Sequence, residues 1–562
     1  MPMRILQGAI AALFLAGSMA NAGAGSTAAG EALYRRGVMP SGALLSGRRE
    51  GNVTVAGIDA ACVSCHRRSG LGTTEGRITI PPIAGVYLFR PGDARIDDEA
   101  VPYVGTARVK HSAYTDETLA RAIRTGVGAD GRALNYLMPR YDLDDATMAA
   151  LIGYLKGLSP RRAPGVTDTV LHFATIITPD ADPHAREGML DVMRQYFADK
   201  SAAARAVAPR LYANRPMMFR VNRKWQLHVW QLEGRPETWE AQLAKKLAAE
   251  PVFAVISGLG GPEWEPVRRF CESQGLPCLF PNVEAPPGRD DDFYSMYFSR
   301  GVLLEAQLIG EQLHDTAGRA RRVVQLYRAG DVGAKAAAEL QAARVASGET
   351  TVTRALPVRR SPGDVADALK DVASNDALVL WLRAADLAAL QGVPAHAAHV
   401  WISGEMGGLE QAPLPASWRP VTRMAYPVDL PGQRVVRVDY ALGWFRIRQI
   451  PLVAQKVQVD TYLACGLMSE TLNHMVDTFV RDYLLERVEM MLDHRALTGY
   501  YPRLTLAPGQ RFASKGGYVV RFTEPQGPKV AAVTDWLTPE AVAPRTLSAR
   551  ALSARAQSAG AP

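Results

Sequence analysis

The stretch DAACVSCHRRSG, Asp59 to Gly70, places two cysteines two residues apart with a histidine directly after the second. Cys62-x-x-Cys65-His66 is the attachment pattern of a c-type haem. The two thiols add across the porphyrin vinyl groups, and the turn between them carries the His66 imidazole beneath the iron. A thioredoxin-like pair needs a surrounding βαβ pattern, which is missing here. A zinc site needs a second pair of ligands, and the next cysteine, Cys271, lies some two hundred residues further on. One covalently attached haem c is therefore expected, in a module needing about a quarter of the 562 residues.

The second axial ligand must come from elsewhere. In GRALNYLMPRYDLDDATMAALIGYLKGLSP, residues 131–160, Met138 precedes Pro139 and then a helix. Asp144 or Asp145 is placed to cap that helix, and Met148, Leu151, Ile152 and Leu155 recur on one side of it. Met148 is the fallback ligand, but a position inside the helix favours packing. His111, the other histidine of this region, is expected on the surface.

These features resemble a class I cytochrome c. The likeness rests on the opening helix GEALYRRG (30–37), the Cys62–His66 motif, IPPIAG (80–85), DETLARAIRTGVGADGRAL (116–134), and Met-Pro before the last helix. The resemblance implies an all-α domain with Met138 as the axial thioether and the Pro82 carbonyl orienting the His66 ring. Histidine plus methionine raises the iron's potential relative to two nitrogen donors and leaves no open coordination position. One departure stands out: residues 38–61 make a long insertion between first helix and motif. Its Val-Thr-Val run suggests a loop or small hairpin near the haem edge. Arg67 and Arg68 offer either a positive rim for an acidic partner or ordinary solvated charges.

The chain opens with Met1-Pro-Met-Arg4, an apolar run from Ile5 to Gly17, and Ala20-Asn21-Ala22, which together read as a signal peptide over 1–22, cleaved near Ala22. The run is shorter than the roughly 20 residues that span a bilayer, and no later segment is apolar enough, so export to the periplasm without stable membrane insertion is expected. The net charge of +8 is spread without a dense basic block, which argues against nucleic acid. In that compartment Cys271 and Cys278 are either a small disulfide loop or two buried thiols. Cys465 reads as a core residue.

A cytochrome domain over 23–160 and a Pro/Gly-rich linker over 161–166 lead into residues 167–540. There, apolar strands such as VLHFATII, VFAVISG, RVVQLY and ALVLWL alternate with amphipathic helices. That alternation predicts parallel sheets covered by helices, in two lobes. The order of these elements resembles type I periplasmic binding proteins, those serving branched-chain amino acids and amides. In such proteins two Rossmann-like lobes close on a ligand at the strand ends. The resemblance points to a cleft built by Ser257, Gly260, Gly261, Asp331 and Glu405. Glu405 stands at the acid position for an ammonium group, and the Gly260/Gly261 amides either hold an anion or merely turn the chain. The serine/threonine cluster of such pockets is replaced by glycine and leucine. An amino acid, amide, alcohol or carboxylate remains the candidate ligand class, and a cleft that has lost its ligand is the alternative. Residues 541–562 repeat Leu-Ser-Ala-Arg-Ala and are expected to be a mobile tail.

Two functions follow as expectations. One is a periplasmic electron carrier with a fused recognition domain, exchanging electrons with a redox partner protein; a quinoprotein-type dehydrogenase is suggested by association. The alternative is a solute-binding receptor of an ABC-type transport or sensing system whose haem reports redox state. No catalytic pattern appears in the larger part, so an enzyme is not expected.

Overall fold

Residues 27–75, 78–91, 111–158, 163–206, 223–289, 292–316, 322–346, 351–475, 478–507 and 509–539 are described by the structure, a computed structural model. The signal peptide over 1–22, residues 161 and 162 of the linker, and the tail over 541–562 lie outside the described residues. The chain divides into two compact units. One takes residues up to Val170 together with Ala203–Arg223 and Glu470–Arg487; the other takes Leu171–Ala202, Lys224–Ser469 and residues from Val488 onward. The break at Val170 lies just beyond the sequence linker, but two later segments rejoin the front unit, and no local composition announces them.

In the front unit the apolar positions recur at helical spacing and meet in one core. Leu33 and Tyr34 come from helix 27–36, Leu119 and Ile123 from helix Asp116–Thr125, and Met148, Leu151, Ile152 and Leu155 from helix Asp145–Gly157. Helix starts are set by side chains. The Thr115 hydroxyl accepts from the Thr118 amide at 3.2 Å, and Asp144 accepts from the Thr147 amide at 2.7 Å. Each satisfies an orphan donor of a first turn.

The front unit is not all-α. Strands β1 (Ser46–Arg48), β2 (Thr54–Ala56) and β5 (Arg140–Tyr141) form an antiparallel sheet in the order β2-β1-β5. Strands β3 (Thr73–Glu75) and β4 (Ile78–Ile80) pair as a second, two-stranded ladder. The physical reason lies in residues 38–61: the β-branched Thr54 and Val55 pair back onto Arg48 and Gly47. Gly47 then lies opposite Tyr141, just beyond Met138 and Pro139. The insertion is thus a hairpin that holds the methionine loop.

The second unit has two α/β lobes. The first lobe's sheet runs β10-β9-β8-β6-β7, from β6 (Val170–Ile177), β7 (Lys224–Gln231), β8 (Ala254–Ile256), β9 (Cys278–Leu279) and β10 (Ser295–Met296). The second runs β12-β11-β13-β14-β15-β16-β17. Its members are β11 (Val323–Arg328), β12 (Thr351–Leu356), β13 (Ala377–Trp381), β14 (His399–Ser403), β15 (Thr422–Tyr426), β16 (Tyr518–Phe522) and β17 (Val530–Ala532). From β12 to β15 the pairs are parallel, and β16 and β17 add antiparallel. Every residue of β13 is buried, as a strand covered by helices on both faces requires. Each lobe has its own core, around Trp264 and Val255 in the first and Trp381 and Leu308 in the second.

Helix Gln455–Met475 packs against the first lobe, where the Thr461 hydroxyl lies 3.1 Å from that of Ser257. Cys271 and Cys278 are joined as a disulfide, tying helix Glu265–Ser273 to β9 with Cα atoms 6.2 Å apart. Cys465 is fully buried and free. No helix among the described residues is long and apolar enough to cross a membrane.

Candidate functional site

The motif is wound into one helical turn, Val63–His66, closed by the His66 amide donating to the Cys62 carbonyl at 2.8 Å. That turn places Cys62, Cys65 and His66 together on the wall of a cavity of about 480 Å³. Leu119, Ile123 and Leu151 line it too, so its wall is largely apolar. The size lies in the range of cofactor sites. Tyr141 fixes the approach to the motif by donating to the Ala60 carbonyl at 2.6 Å.

His66 is buried, and its Nδ1 lies 3.0 Å from the Pro81 carbonyl oxygen. With Nδ1–H donated there, Nε2 keeps its lone pair for an electrophile in the cavity. Burial pushes the imidazole down to about 4, so it is neutral at pH 7, the ligating form. The orienting carbonyl therefore belongs to Pro81, not Pro82. The Ile83 and Ala84 amides both donate to the Gly70 carbonyl, and that clamp turns Pro81 toward the ring while Pro82 lines the cavity. Burial also pushes the Cys62 thiol up to about 12.

Met138 also lines the cavity, in a turn closed by its amide on the Asn135 carbonyl at 3.0 Å. Met148 is 2% exposed, among the packed residues of its helix. His111 is partly exposed, as expected, and also borders the cavity, with Nδ1 2.8 Å from the Ser112 carbonyl and its ring 5.6 Å from that of Tyr114. Two thiols, an oriented imidazole and a thioether are a donor set that fits haem c. Arg49 adds a further sign, because it lines the cavity and its buried Nε has no hydrogen-bond partner. Such a donor suits a carboxylate at the edge of the ring system.

In the second unit, the five cleft residues read from the sequence come to the strand ends of the two lobes, and each is engaged. The Ser257 hydroxyl is buried between Thr461 and the Asn282 side-chain amide at 3.0 Å. The Gly260 amide donates to the Asn282 carbonyl at 3.3 Å and the Gly261 amide to the Thr178 hydroxyl at 3.2 Å. Asp331 accepts from Arg383 at 2.7 Å, and Arg383 also forks onto Glu284 at 2.6 Å. The anion reading of Gly260/Gly261 is thereby corrected. Their donors are spent inside the chain, and the Asp180 carboxylate stands where a Gly261 side chain would begin.

Glu405 opens the short helix Gly404–Gly407 after β14 and meets the Lys456 ammonium at 3.5 Å. Lys456 also meets Asp460 at 3.0 Å, and its Nζ lies 5.7 Å from the Tyr501 ring centroid. Burial works against the charge on Lys456, but the carboxylates of Asp460 and Glu405 outweigh it and hold its pKa well above the ordinary lysine value. Sequence reading missed Lys335, Arg383 and Lys456, because charges on amphipathic helices and in polar loops look solvated. One signal was present: Lys456, Gln458, Asp460 and Thr461 crowd polar groups into less than two helix turns.

No protein-family model and no curated protein matches the chain. Among solved structures, the chain is similar to a fatty acid ABC transporter substrate-binding protein from Thermomonospora curvata, at 16% identity over 68% of this chain and 96% of that one, TM-score 0.46. It is also similar to a leucine-binding protein from Thermotoga maritima, at 11% identity over 66% and 99%, TM-score 0.45. A branched-chain amino acid transporter substrate-binding protein from Streptococcus pneumoniae, in complex with isoleucine, aligns at 9% identity over 65% and 100%, TM-score 0.47.

Proposed function

We propose that the chain is an exported single-haem electron carrier joined to a two-lobed recognition domain. The observation that carries this reading is the cavity whose wall brings together Cys62, Cys65, the Pro81-oriented His66 and Met138. Cys62, Cys65, His66 and Met138 would hold a haem there, which would supply one-electron chemistry at a potential raised by the thioether. The chain's own part is to tether it through two thiols, fix the His66 tautomer, exclude water with apolar walls, and offer Arg49 to an anionic edge. The partner that suits such a carrier is another redox protein in the periplasm, a quinoprotein-type dehydrogenase being one by association.

A second reading, a solute-binding receptor, is favoured by Ser257, Asp331 and Glu405 standing at the strand ends of the two lobes. The cleft's internal pairing counts against it.

Protein matured in a host that attaches haem c should be coloured, and the haem should stay with the denatured chain. Replacing both Cys62 and Cys65 with alanine should release it. A colourless protein, with mass equal to the bare chain, would overturn the carrier reading and leave the receptor.

A further inference from the structure

The lobes of the second unit are bridged by two lysines in opposite directions. Lys456, on the helix packed against the first lobe, reaches Glu405 of the second at 3.5 Å. Lys335, on helix Gly333–Ala346 of the second lobe, reaches Glu263 of the first at 3.0 Å and the Pro262 carbonyl at 2.5 Å. The two bridges differ in burial. The Lys335 and Glu263 side chains are 36% and 46% exposed, so that pair is a weak surface contact. Lys456 is 29% exposed, but Glu405 and Asp460, which hold it, are only 10% and 3% exposed.

What surrounds the Lys456 Nζ is a cation site: two carboxylates, the Tyr501 ring face, and the Tyr501 hydroxyl at 3.5 Å. Asp460 also keeps one buried oxygen, Oδ1, with no hydrogen-bond partner. A buried carboxylate with an unused acceptor is a site with capacity left over. An ammonium group carries three donors and fits such a set as a compact charge.

We propose that Glu405, Asp460 and Tyr501 form a subsite for a primary alkylammonium group, and that the chain fills it with its own Lys456, so the lobes close without a free ligand. This concerns the recognition half of the proposed function and does not depend on the haem. It accounts for the absence of a free donor or acid among the five cleft residues: the site is already liganded from within. A free zwitterion would have to displace a tethered ammonium held at the high effective concentration of an intramolecular group.

The test uses the full-length matured protein and follows tryptophan fluorescence during thermal unfolding, in ethylammonium chloride and in sodium chloride of equal ionic strength. Wild type should melt alike in both salts. K456A should melt at least about 5 °C lower, since it leaves buried acids unpaired, and ethylammonium should restore part of that loss saturably. E405Q/K456A should lose the restoration. K456Q keeps the stem and a donor without the charge; a lowered Tm supports the proposal even where K456A does not fold, and a wild-type Tm overturns it. The proposal also fails if ethylammonium restores K456A no better than sodium, or stabilises wild type as much as the variant. The haem absorbance reports the carrier reading separately, because neither outcome changes the haem cavity.

Discussion

The Glu486 carboxyl meets both donors of Ser69, the backbone amide at 2.8 Å and the hydroxyl at 2.6 Å. Ser69 lies three residues beyond His66, and Glu486 comes from the Glu470–Arg487 segment of the same unit. The pair is buried. Burial pushes Glu486 up to about 8; the Ser69 bonds draw it back, Asp482 raises it and Arg67 lowers it. The Tyr34 hydroxyl, bonded to the Arg67 carbonyl, also feels this acid.

A pH dependence follows from that position. Between the ordinary glutamate value of 4.5 and about 8, the folded chain holds a proton that the unfolded chain has lost. Stability from this group is therefore full below the unfolded value and declines as pH rises toward 8, on the order of 5 kcal/mol in all. Urea unfolding at pH 5, 6.5 and 8 should show the decline. E486Q, which mimics the protonated acid, should flatten it. A wild-type profile as flat as the variant's would mean that Glu486 is charged in the fold.

Met138 and His111 both border the cavity, and the two are separable by potential. M138H should lower the midpoint of the matured protein, because a second imidazole favours oxidised iron relative to a thioether. H111A should leave the midpoint where it was. A rise in H111A with no change in M138A would assign the ligand to His111.

Much of this was legible in the sequence, and the limits are physical. The Cys62–His66 turn and the strand that became β6 are local patterns, fixed by residues within one or two turns of each other. Which carbonyl orients His66 was not local, since the Gly70 clamp on Ile83 and Ala84 decides it. The Gly260 and Gly261 amides read as free because Asn282 and Thr178, which accept from them, are distant in sequence. Glu486 lies 417 residues from Ser69, and no composition signal marks a helix that rejoins the front unit. The all-α expectation failed for a related reason: the insertion's sheet is completed by a partner strand, Arg140–Tyr141, beyond helix Asp116–Thr125.

The Cys271–Cys278 bridge closes a loop of seven residues' separation. Chain-entropy arguments for so short a loop give about 2.5 kcal/mol. C271S/C278S should lower the unfolding free energy by that amount, with a matching fall in the denaturant midpoint, and a reductant should do the same to wild type once the bridge opens. Since both cysteines are buried, reduction should be slow in the native state and fast in mild urea. An equal rate in both conditions would place the sulfurs at the surface.

The loop Ser257–Gly261 offers the sharpest test of whether the cleft was shaped for a ligand or for packing. A Cβ on Gly260 would come 2.5 Å from the Trp264 ring, and Trp264 is buried in the first lobe's core. An indole held by a packed core does not give way, so G260A should cost about 1–3 kcal/mol. An anion pocket would also be disturbed by G260A, but it would respond to phosphate as well. The Gly260 and Gly261 amides are already bonded, so 50-fold excess phosphate over protein should leave the unfolding midpoint of wild type and G260A unchanged relative to chloride of equal ionic strength. A phosphate-dependent rise in wild type that G260A abolishes would restore the anion reading and require Asn282 and Thr178 to release their donors.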